Sequence, residues 1–139
     1  MNINCILPPA SKRVKIHTDR KVNEKITDKM LTNIRKYSKK NETEIAKRIE
    51  DLNHESDTER FLEANAAVIM MISTFLGYIR DKKWFLLGGA AGAFLLQHAL
   101  QGWCPPLPIL RRLGIRTPEE IYNEKLALKI LKGDYRNFH

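Results

Sequence analysis

Two stretches of the chain are almost free of charge, and four charged residues separate them. No charged side chain falls between Ala64 and Ile79, and between Trp84 and Trp103 only His98 can carry one. The connection, Arg80-Asp81-Lys82-Lys83, is charged throughout. Few environments tolerate such a pattern. An α-helix rises about 1.5 Å per residue, so a helix over 84–103 covers about 30 Å, the hydrocarbon thickness of a bilayer. The only two tryptophans, Trp84 and Trp103, stand at its ends, where interfacial aromatics belong. The first run, 64–79, covers about 24 Å and spans if Glu63 and Arg80 reach the head groups and Tyr78 anchors the far side. A four-residue connection requires antiparallel neighbours. The pattern therefore predicts a two-span transmembrane helical hairpin over 56–104.

The rest of the chain reads as helix without any strand-like alternation. Residues 1–20 contain prolines and basic residues without periodicity, which predicts a flexible arm. Val22, Ile26, Met30, Ile34 and Tyr37 form one narrow apolar stripe of an amphipathic helix. A second helix starts at Asn41, with Glu44 in the capping-box position and an apolar side of Ile45, Ile49 and Leu52. A third starts at Ser56 as N-cap, with Glu59 at the box position, and continues into the first apolar run. After Cys104, Pro105, Pro106 and Pro108 stop any helix. "PILRRLG" predicts a short turn of helix closed by Gly114. The tail helix then has Thr117 as N-cap, Pro118 at its first position, Glu120 completing the box and Gly133 as left-handed stop. Its Ile121, Leu126, Leu128 and Leu131 predict either packing on the helix at 22–38 or an apolar face laid on the bilayer. The fold class is all-α: a basic region of amphipathic helices over 1–55, the hairpin, and a Pro-rich turn with an amphipathic tail helix over 105–139.

The formal net charge of +8 calls for an anionic partner or surface, which lipid head groups supply as well as nucleic acid does. Arg111, Arg112 and Arg116 are the expected contacts to anionic lipid. The Lys and Arg flanking the runs outnumber those in the connection, which predicts both termini on the cytoplasmic side. The dense Lys and Arg of 12–48 are the alternative nucleic-acid surface, but they lack aromatic interleaving and a docking motif, so no nucleic acid is expected. The apolar part of the N-terminus is too short for a secretory signal, and no hydrophobic segment makes Cys5 a lipoprotein cysteine.

Within the second run, Gln97, Gln101 and Cys104 fall at i, i+4 and i+7 and would share one face, with His98 beside it. Near an interface such groups serve as helix-to-helix hydrogen-bonding residues, each bond worth about 0.6 kcal/mol. Gly88 and Gly92, paralleled by Gly89 and Ala93, form a small-residue stripe suited to close helix contact. A competing reading makes Cys104 a thiolate nucleophile or metal ligand with His98 as its base. Two cysteines without Cys-x-x-Cys spacing give no disulfide framework, and His98 with Cys104 is too small a ligand set for a metal. No phosphate loop, catalytic triad or carboxylate pair is evident, so no cofactor is expected and an enzyme is the less favoured class.

Three segments resemble the YgaP-like transmembrane domain family of bacterial inner-membrane proteins. They are Glu59, Arg60, Leu62, Glu63, Asn65, Ala66 and Ala67; "FLLQHALQGWCPPLPILRRLGIRT" from Phe94 to Thr117; and "LKILKGDY" from Leu128 to Tyr135. The resemblance implies an inner-membrane helical hairpin that self-associates, a dimer being the simplest form, and it implies no particular activity. Some members are fused to a sulfur-transfer domain. This chain shows no such αβ pattern, so the resemblance extends sulfur or thiol chemistry no further than Cys104. The main expectation is a membrane scaffold or partner-binding module, the alternatives being a thiol accessory or a nucleic-acid binder.

Overall fold

The computed structural model describes residues 8–134, so the expectations placed on Cys5 and Tyr135 lie outside the described residues. Seven helices follow in chain order: α1 (Arg13–Ile16), α2 (Arg20–Tyr37), α3 (Glu42–His54), α4 (Thr58–Ile79), α5 (Trp84–Gln101), α6 (Leu107–Arg112) and α7 (Pro118–Lys132). Among the described residues there is no strand.

Helix boundaries follow the local chemistry. The Asn41 side chain accepts from the Glu44 backbone N–H, and Glu44 itself turns to Lys40 rather than closing a box. At α7 both halves of the box form, Thr117 accepting from the Glu120 N–H and Glu120 from the Thr117 N–H. Gly133 ends this helix at φ 87°, a left-handed conformation that costs a glycine little. The cap of α4 is Asp57, not Ser56: its carboxylate accepts from the Arg60 N–H, while the Thr58 N–H is drawn to the Arg116 carbonyl at 2.9 Å. The shift by one residue sets α4 against the tail.

α4 and α5 are antiparallel and packed along their length. A Cβ added at Gly77 would lie 2.9 Å from the Phe85 ring, one at Gly88 would lie 2.5 Å from Ser73 Oγ, and one at Gly92 would touch Met70. Ser73 and Thr74 both donate back to the Met70 carbonyl, so their hydroxyls are satisfied within the helix. Beyond this seam the pair has little cover. Met71, Phe75, Tyr78, Leu86 and Leu96 are among the large apolar side chains left exposed. By length and composition, one described helical run is apolar enough to cross a membrane, Glu42–Ile79, whose apolar part is α4. The expectation rested chiefly on the second run, but α5 has only 18 residues and carries Gln97, His98 and Gln101 in its last two turns.

The remaining helices form a headpiece at the open end of the pair. Ile45 and Leu52 of α3 pack on Ile121 and Leu128 of α7, with Tyr37 and Ile49 at the edge. The tail helix thus docks on α3, and secondarily on α2. A second cluster joins headpiece to hairpin: Val14, Leu62, Cys104, Leu107 and Leu110, with Ile115 against it. Val14 corrects the expectation of a free arm over 1–20. A four-residue helix is too short to show periodicity, yet one buried valine and the Arg13 contacts fix it in place.

Candidate functional site

The site is built where α5 ends. Gln101 is its last helical residue; Gly102 takes φ 77° and turns the chain, so Trp103 and Cys104 lie beyond the helix. A side chain at Gly102 would be strained by that φ and would lie 2.6 Å from the Arg13 backbone. Two expectations fall with this turn. Trp103 does not close a 20-residue helix but sits half-buried in the connection. Cys104 does not share a face with Gln97 and Gln101, because a period of 3.6 no longer applies past Gly102.

What the turn does achieve is to bring His98 and Cys104 to one cavity of about 470 Å³. Its walls are apolar: Leu62 and Ile69 from α4, Leu87 and Leu95 from α5, and Pro105, Pro106 and Leu110 from the connection and α6, with Phe61 and Phe94 among the aromatic residues. Asn65 also lines it, its side-chain N–H₂ donating to the Phe61 carbonyl at 2.7 Å. Among the described residues no charged side chain lines the cavity.

His98 is 4% exposed, and among the described residues neither ring nitrogen has a hydrogen-bond partner. Buried polar atoms are almost always paired, so two orphans on one ring need an explanation. Overhead, Arg13 donates to the Ala99 carbonyl at 2.7 Å and to Glu59 at 2.5 Å, closing the end of α5 with an internally matched ion pair. Cys104 is buried among apolar neighbours. Burial pushes its thiol up, and a backbone hydrogen bond at Leu107 only partly offsets this. A reactive thiol needs the opposite shift. Gln97 is half-buried and Gln101 exposed, and neither lines the cavity. Among the described residues no cluster of metal-ligating side chains occurs.

The small-residue stripe divides. Gly88 and Gly92 face α4, whereas nothing approaches within 4 Å of where a Gly89 Cβ would stand. Tyr78 and Trp84 lie exposed at the far end of the pair, beside the charged connection.

The arginines also divide. Arg112 is exposed, but Arg111 is 1% exposed and makes two hydrogen bonds to Glu120, at 2.7 and 2.8 Å. It also donates to Thr18, Asn23 and the Ile115 carbonyl, which accounts for its full fork of donors. Arg116 pairs with Glu55 and with the buried Glu124, whose other oxygen takes Arg48 at 2.9 Å. The expected lipid contacts of Arg111 and Arg116 are thus replaced by carboxylates inside the headpiece. Burial alone would raise the Glu120 carboxyl, but Arg111 and the Thr117 N–H outweigh it and hold the group below the usual carboxylate range. Sequence reasoning missed this network. The available signal was Glu120 and Glu124, four apart on the same side of α7 as Ile121 and Leu128.

Against known families, residues 55–120 match the model described as "Inner membrane protein YgaP-like, transmembrane domain". The match holds α4, α5, the cavity, α6 and the first turn of α7, and it ends before the Leu128–Tyr135 segment of the resemblance. No curated protein and no solved structure matched the chain.

Proposed function

Taking as premise that residues 55–120 are a YgaP-like transmembrane domain, we propose that this chain is a two-span inner-membrane protein whose hairpin holds a helical headpiece at the bilayer surface. The headpiece is the partner-binding part, and the chain works as a scaffold rather than as an enzyme. The observation that carries the reading is the exposed apolar surface on both helices of the pair. Met71 is 73% exposed, Phe75 63% and Leu86 75%. In water such a row of exposed large apolar side chains would be costly; in lipid it is the solvated face.

Charge placement supports the same arrangement. Arg80, Asp81, Lys82 and Lys83 cap one end of the pair, and the ion-paired headpiece caps the other. The four-residue connection lies beyond the hydrocarbon on one side, and both flanks lie together on the other, the cytoplasmic one. Self-association in the membrane uses the outward Gly89 face, since Gly88 and Gly92 are occupied within the pair.

The test is cysteine accessibility. Single cysteines at Lys82 and at Lys125, in a chain with Cys5 and Cys104 replaced by serine, are labelled with a membrane-impermeant maleimide on intact cells. Labelling at 82 and protection at 125 are expected. Equal labelling of both only after lysis, together with release of the chain by alkaline carbonate, sinks the spanning model.

A further inference from the structure

The cavity beneath Arg13 has a feature that the scaffold reading does not use. His98 is more than nine-tenths buried, it lines the cavity, and among the described residues both of its ring nitrogens lack a partner. A buried ring with two unpaired nitrogens calls for an explanation, and a ligand that completes it is one.

The walls restrict what that something is. Between the helices, Phe61, Leu62 and Phe94 offer an apolar bed, and the volume of about 470 Å³ falls within the usual range for small-molecule sites. With no charged side chain in the wall among the described residues, an ionic head would be buried without a counter-charge, at a cost no hydrogen bond offsets. Of the nearby charges, Arg13 and Glu59 already pair with each other, and Glu63 is exposed. Neither ring nitrogen is open to the cavity as the ring stands; a flip of the ring exchanges each nitrogen with a ring carbon and brings an N–H donor or an acceptor nitrogen to an incoming oxygen. We propose that this cavity binds a membrane-soluble molecule with an apolar body and one uncharged carbonyl or hydroxyl oxygen, which hydrogen-bonds to His98. The inference rests on the hairpin lying in lipid, which delivers such a molecule to the cavity mouth.

Two sources carry this chemistry, a quinone and a neutral acylglycerol, and they are separated by titrating each. The full chain is placed in lipid nanodiscs with ¹⁵N-labelled histidine, and the His98 ring signals are assigned by their loss in His98→Gln. Decyl-benzoquinone and monooleoylglycerol are the probes. One of them is expected to shift the His98 ring nitrogens saturably. By a second readout, mass-spectrometric mapping of a diazirine form of that probe, labels should fall on Phe61 or Phe94. His98→Ala should weaken binding about three- to tenfold, the loss of one hydrogen bond. His98→Gln should retain most of the affinity, and Ala91→Phe should abolish binding by filling the cavity. Lys82→Ala, in the exposed connection at the far end of the pair, should bind as the parent does. A failure of both probes to shift His98, or an Ala91→Phe chain that titrates like the parent, overturns the proposal. Carbonate extraction, run in parallel, separates the two readings. A chain that stays in the membrane and binds neither probe refutes this inference alone; one that washes off refutes the hairpin beneath it.

Discussion

The hairpin and the headpiece bury opposite things. Between α4 and α5 the seam holds Gly77, Gly88, Ser73 and Phe85, and the large apolar side chains point away from it. In the headpiece the apolar residues turn inward, and Arg111, Arg116, Glu120 and Glu124 are buried with them. Each half would be costly in the other's surroundings. A charge removed from water needs a partner and full hydrogen bonding, and the headpiece supplies both; an exposed leucine needs a solvent that does not penalise it. In the arrangement proposed above, one short chain meets two solvents.

The widest break in this contrast comes from removing one buried charge. Glu120→Ala leaves Arg111 without its two carboxylate bonds in a closed site, and should destabilise the headpiece by about 3–5 kcal/mol. The expected signature in denaturant titrations is early loss of the α3–α7 contact with the helicity of α4 and α5 retained. Next is the mirror experiment, a charge added to the hairpin. Met71→Lys changes an exposed position, and in water it would be harmless or would improve solubility. In lipid it should raise the insertion free energy by about 2.5–3.5 kcal/mol, read as a drop in the fraction of chains that resist carbonate. Unchanged membrane retention would mean that this face does not meet lipid.

Within the seam, Gly88→Val should cost about 1–3 kcal/mol, because the Ser73 hydroxyl would have to abandon the Met70 carbonyl to make room. Gly89→Val meets nothing within the chain and should be tolerated in the monomer. Thermal melts of the detergent-solubilised pair would separate them. The gentlest probe is acid. The Glu120 carboxyl is depressed by its Arg111 pairing, so the stability it contributes is full above the ordinary carboxylate value near 4.5 and is lost as pH falls through the lower folded value. The headpiece melting temperature should fall as pH drops below about 4.5, while the far-UV signal of the hairpin stays level.

Much of the architecture was legible because it depends on local rules. The box at Thr117 and Glu120, the glycine stops at Gly114 and Gly133 and the alternation of charged and apolar runs act within a few residues. What escaped depended on distant partners. Asp57 displaced Ser56 as cap when the tail carbonyl of Arg116 took the Thr58 N–H. Arg111 and Arg116 looked like lipid contacts because Glu120, Glu124 and Glu55 could not be placed beside them from spacing alone. For the cavity, His98 and Cys104 are both legible as candidates, but the left-handed turn at Gly102 takes Cys104 off the helical face expected to join it to Gln97 and Gln101. Phe61 and Ile69, from the opposite helix, completed the walls without any sequence mark.

Arg13 closes the end of α5 by holding the Ala99 carbonyl, 86 residues further along the chain. During synthesis the ribosome delivers this arginine early, and its seat does not exist until the hairpin and Gly102 have emerged. The local contacts of the hairpin can form without waiting; the latch cannot. The Arg13 latch therefore closes after the hairpin it rests on.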